Sequence, residues 1–120
     1  ERVGFDVTTF EDVGDGDALY LRASDGKAGK ALANGTQDQA TVVGFADTAA
    51  SSGDAVKCLV AGVLDYPSAI DPGDIHFLDT TAGAITTTAP SSSGQYVVRV
   101  GEGATTSELS IQIEPPILLV

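Results

Sequence analysis

The feature that most constrains this chain is its patterning: short runs in which apolar and polar residues alternate, separated by turn dipeptides. Leu109, Ile111 and Ile113 alternate with Ser110, Gln112 and Glu114, as in a strand with one face buried and the other wet. Val3, Phe5, Val7 and Thr9 share one side of a run whose other side carries Gly4, Asp6 and Thr8. Val56, Cys58 and Val60 oppose Lys57, and Tyr96, Val98 and Val100 oppose Val97 and Arg99. Between these runs stand Asp15-Gly16, Asp25-Gly26, Asn34-Gly35, Gly53-Asp54, Pro72-Gly73 and Ser93-Gly94, pairs that favour chain reversal. Asp47 to Ser52 has some helical character but is too short and too polar to persist as a helix alone. The expected fold is all-β, a compact antiparallel β-sandwich or small barrel. It forms a single domain over residues 1–120, with an N-terminal strand or arm over 1–10 and an extended C-terminal tail over 114–120.

An internal repeat sharpens this. Gly16-Asp17-Ala18-Leu19-Tyr20-Leu21 resembles Gly73-Asp74-Ile75-His76-Phe77-Leu78 at an offset of 57 residues. The same offset carries Gly26 onto Gly83 and Val43-Gly44 onto Val100-Gly101. Dropping four residues then aligns Val56, Cys58 and Val60 with Leu109, Ile111 and Ile113. Two tandem similar β units, each too small to bury its own apolar face, are expected to pack together. The competing reading is chance recurrence of Gly-Asp turns before apolar strands.

Composition bounds the function. The net charge is −11, from 17 acidic and six basic residues. Nucleic-acid binding relies on Lys and Arg displacing counterions, and anionic membranes attract the same basic residues, so neither partner is expected. A chain of this length buries roughly two-thirds of its extended surface, enough to fold without a metal or disulfide. The single cysteine, Cys58, has no internal partner and reads as a small core residue. No apolar stretch is long enough for a spanning helix. No basic-then-apolar leader opens the sequence, and a start at Glu1 suggests a processed or trimmed product.

The usual parts of an active site are missing. Nucleophilic catalysis needs a nucleophile, a base and a group that orients the base, but the only histidine, His76, falls on the face of Leu78 as a packing or surface residue. One Cys and one His cannot supply a zinc site. The acidic run Glu11, Asp12, Asp15 and Asp17 has oxygen ligands suited to Ca²⁺ but lacks the spacing of a calcium loop, and a solvated turn is the simpler reading. No catalytic, metal or cofactor residues are assigned and no cofactor is expected.

Two segments carry a resemblance. VVGFADTAASSGDAVKCLVAGVLD and DPGDIHFLDTTAGAITTTAPSSSGQYVVRVGEGATTSELSIQIEPPILLV are similar to small structural proteins and surface modules of tailed bacteriophages. The resemblance rests on a VGFA strand, a GD-x-V hairpin, a PG…FLD…G-x-ITTTAP hairpin and a final strand ending in PP-x-LL. It implies a virion protein without catalysis, of the capsid decoration or cement type, on the outer capsid surface. Its implied partners are the major capsid protein and copies of itself, with a trimer favoured. The matching residues Gly73, Leu78, Gly83, Pro115 and Pro116 are structural in kind. The alternative is a receptor- or carbohydrate-binding module of a tail or fibre protein.

The chain ends are the candidate contacts. Arg2 and Val3 begin an extended arm, and Pro115-Pro116 cannot donate ladder hydrogen bonds, so Ile117, Leu118, Leu119 and Val120 follow an edge or free stretch. That tail either closes the protein's own sheet or bridges to a neighbour. Tyr66, in Asp65-Tyr66-Pro67, is the candidate exposed aromatic contact, with Tyr20, Phe77 and Tyr96 as the other sources of an aromatic platform.

Overall fold

The alternating runs become strands of one sheet. The computed structural model describes residues 2–120. In chain order they form β1 (Arg2–Thr8), β2 (Ala18–Leu21), β3 (Ala28–Lys30), α1 (Gln37–Ala40), β4 (Gly44–Ala46) and β5 (Ala55–Asp65). There follow β6 (Ile75–Leu78), β7 (Ile85–Thr86), β8 (Tyr96–Val97), β9 (Arg99–Gly103), β10 (Glu108–Ile111) and β11 (Ile117–Leu118). Eight strands run in the order β3-β2-β4-β5-β10-β9-β6-β7, β1 pairs alongside β5, and β8 with β11 makes a separate ribbon. Every named pairing is antiparallel, and the sheet curls strongly into a half-barrel. Its two ends are tied across the opening: the Ala18 amide donates to Gly83, the Gly83 amide to Ala31 and the Ala33 amide to Asp79.

The strand order shows two tandem units. β2 and β6 lie 57 residues apart, and their pairings with the next strands repeat residue for residue. Tyr20 faces Gly29 as Phe77 faces Thr86, and Leu19 faces Gly44 as His76 faces Gly101. Turn hydrogen bonds repeat as well: Gly16 to Ala46 as Gly73 to Gly103, Ala46 to Asp17 as Gly103 to Asp74, and Arg22 to Lys27 as Asp79 to Ala84. Gly16 and Gly73 both have φ of 82°, a left-handed conformation that costs glycine little and other residues more.

β5 belongs to both units. Its first half pairs with β1, and its last residues, Gly62 to Asp65, pair with β10. The registers correspond: Phe5 faces Cys58 as Gly62 faces Ile111, and Val7 faces Val56 as Leu64 faces Leu109. This is the four-residue deletion expected for the third strand. On the other side the match shifts by two, because Ala46 faces Cys58 whereas Gly103 faces Leu109. A two-residue shift leaves every side chain on its original face.

The crossover within β5 has a local cause. Between Val3 and Gly4 the register skips Val60, a bulge that bends and twists the strand. Val56 and Cys58 therefore pack into a small cluster with Val7, Leu19 and Ala46, while Leu59 and Leu64 enter the main core with Phe45, Val98, Val100 and Leu109. Of the four residues expected on one face, Val7 and Thr9 are buried, but Val3 and Phe5 are exposed.

The Asp47–Ser52 stretch is not helical. The helical turn is α1, which alternation did not reveal. A reciprocal cap starts it: Thr36 Oγ1 accepts from the Gln39 amide, and Gln39 Oε1 accepts from the Thr36 amide, so two otherwise orphaned donors are satisfied.

Candidate functional site

The terminal candidates are displayed by a rigid frame. The C-terminal tail is held by its own chain: Ile117 pairs with Val97 and Leu118 with Tyr96. Leu119 donates to Gln95 at 2.8 Å and accepts from Gly94 at 2.8 Å. Yet the side chains of this ribbon face outward, with Ile117 63%, Leu118 49% and Val120 fully exposed. Leu119 and Pro116 are half-buried, and Pro115 is exposed. At the other end Val3 is 52% and Phe5 41% exposed on β1, and the Arg2 backbone pairs with Gly62. Gly62 also faces Ile111, so β1 and β10 flank β5 from opposite sides at that residue.

Tyr66 is not the exposed contact expected from its sequence. It is half-buried against the main core, and its ring lies over Gly16. Burial raises its phenol pKa, the nearby Asp17 carboxylate raises it further, and a backbone hydrogen bond at Ile85 opposes them. The other rings form no platform either. Tyr20 is buried edge-on to Phe10 at 5.9 Å, with Arg22 stacked 4.0 Å over Phe10, while Phe77 and Tyr96 are half-buried.

The acidic run serves the backbone. Asp17 Oδ2 accepts from the Gly14 amide at 2.7 Å, Asp12 Oδ1 from Ser52 at 2.8 Å and Glu11 Oε2 from Lys30 at 2.9 Å. These carboxylates thus point to three different places, and no group of three or more metal-ligating side chains occurs among the described residues. Burial raises the pKa of Asp17, although the Gly14 amide and Lys30 oppose it.

Cys58 is a fully buried thiol whose pKa desolvation pushes up to about 12, which removes the thiolate needed for reactivity. His76 is also buried, on the face of Leu78, and its Nδ1 lies 3.0 Å from the Asp74 carbonyl. The carbonyl can only accept, so Nδ1 carries a proton, and in the neutral ring Nε2 is the acceptor. No helix among the described residues is long and apolar enough to cross a membrane. The fold and its sites define an all-β protein of two fused units that presents apolar ends. No protein-family model matches the chain, and no curated protein matches it.

Proposed function

We propose that this protein is a non-enzymatic capsid decoration protein of a tailed bacteriophage, bound to the outside of the head. One observation carries the reading: among the described residues the five large exposed hydrophobics lie at the two terminal strands, Val3 and Phe5 in β1, Ile117 and Leu118 in β11 and Val120 just after it. Apolar side chains fixed on paired backbone lose little further entropy when a partner covers them, which suits a strap between neighbouring capsid subunits or copies of the chain. The acidic body keeps particles apart in solution. The alternative of carbohydrate recognition on an aromatic platform has no such carrier, since Tyr20 is buried, Tyr66, Phe77 and Tyr96 are half-buried, and exposed Phe5 stands apart from them on β1.

Co-sedimentation with matched empty capsids at two ionic strengths tests this. Saturable binding at a fixed number of copies per capsomer, little weakened by salt, is the expected outcome. Absence of binding, with retention on host cells instead, would overturn it.

A further inference from the structure

The second unit contains a cavity lined by His76, whose counterpart in the first unit is Leu19. It measures about 420 Å³ and is lined by residues of the 66–71 loop, β6 and the β7 hairpin, including Tyr66, Ser68, Ile70, Asp71, His76 and Ile85. None of its lining residues belongs to the terminal straps. The 57-residue correspondence maps the 66–74 loop onto the 9–17 loop without gaps, so each lining residue has a counterpart in the first unit.

In the first unit the corresponding loop packs onto the β2–β3 pair. The Phe10 ring and the Glu11 carboxylate press against Gly29, and Glu11 also accepts from the Lys30 amide. Leu19, fully buried, lies on the other face of this strand pair, in the small cluster with Val13 and Ala28. In the second unit Pro67 and Ser68 replace Phe10 and Glu11, removing those side chains, and His76 replaces Leu19. A polar residue has thus taken a core leucine's place at the wall of the cavity.

His76 is 3% exposed, and its only hydrogen bond is from Nδ1 to Asp74. Nε2 has no protein partner, yet Arg99 Nε is the orphaned buried side-chain polar atom among the described residues. Nε2 therefore meets open space, which the cavity provides. Water entering the cavity can satisfy that acceptor, and a ligand that donates to it takes the place of that water.

We propose that this cavity binds a ligand with a primary ammonium head on a short apolar stem, either a free alkylamine or a lysine side chain of a partner protein. The lining has no Lys or Arg and includes one carboxylate, Asp71. Acceptors thus dominate and the protein's net charge is −11, which disfavours anions and favours cations. Ile70, Ala84 and Ile85 supply apolar wall for the stem.

The test uses the full chain and its single imidazole. Long-range ¹H–¹⁵N spectra follow Nε2 of His76 during titration to about 50 mM n-butylammonium chloride at constant ionic strength, a range suited to weak small-ligand affinity. A saturable Nε2 shift is expected with n-butylammonium and with Nα-acetyl-lysine methylamide, but not with tetramethylammonium, which has the charge and no N–H. Equal affinity for both amines identifies the head and stem as the determinant, whereas preference for the lysine derivative points to a protein source. Ser68→Gln, the neutral counterpart of Glu11, fills the cavity and should abolish the shift. His76→Leu, which restores the first unit's residue, should melt no lower than the parent and lose the ligand-induced shifts of the Ile70 and Ile85 methyls. No saturable shift, an equal response to tetramethylammonium, or an undiminished response in Ser68→Gln would overturn the proposal.

Discussion

Deleting Ile117 to Val120 separates display from internal packing. The segment contributes the short ladder to β8 and two hydrogen bonds of Leu119. Backbone hydrogen bonds are worth about 1 kcal/mol each net, and ordering each residue costs about 1–2 kcal/mol. With Ile117, Leu118 and Val120 about half to fully exposed, little hydrophobic burial is added. We therefore predict that removal destabilises the isolated chain by only about 0–2 kcal/mol, a melting shift of a few degrees for a domain of this size. Covering the exposed fractions on a partner is worth about 3–6 kcal/mol before ordering costs, so capsid affinity should fall on the order of 10²- to 10⁴-fold. Calorimetry on the isolated chain and co-sedimentation with empty capsids read the two quantities. A melting temperature lowered by more than about 10 °C with affinity unchanged would show that the tail is internal packing.

Cys58 should resist alkylation in the native state and react at the rate of global unfolding, because its thiol is fully buried with a pKa near 12; fast labelling by iodoacetamide in buffer would contradict that burial. Asp17→Asn keeps an oxygen for the Gly14 amide and removes a charge whose ionisation burial opposes. Because the folded pKa is raised, the cost of ionising Asp17 is present at neutral pH and vanishes as pH falls below the ordinary carboxylate range. The variant should thus melt at or above the parent at pH 7, with the difference shrinking toward low pH. A lower melting temperature at pH 7 would mean that the Gly14 bond and Lys30 outweigh burial.

Sequence reasoning reached the architecture where a local signal and a global constraint agreed. Leu109 and Ile111 alternate because one face of β10 is core, and the 57-residue repeat reappears in the registers because a unit's turns set its pairings. It failed where tertiary context intervened. The run from Val3 to Thr9 divides between solvent and core after Phe5, where the small cluster around Val7 ends, and no single residue announces it. Tyr66 precedes a proline in a loop, the usual mark of exposure, but Gly16 of the other unit leaves room for its ring. The capping box at Thr36 and Gln39 was visible in sequence, although the turn it starts is only four residues long. Pattern reading also could not find the cavity, because it is defined by comparing two folded units: Leu19 and His76 occupy equivalent positions, and only their surroundings tell them apart.

The sharing of β5 bears on how the molecule is made. By the time Asp65 has left the ribosome, every strand of the first unit is available, and the last four residues of its longest strand already form an edge for β10. The second unit therefore assembles onto a template laid down by the first, which shortens the conformational search for its non-local pairings. The converse is a loss of independence. Cleavage near Gly62 would remove a strand from each side at once, so the two halves should melt as one cooperative body.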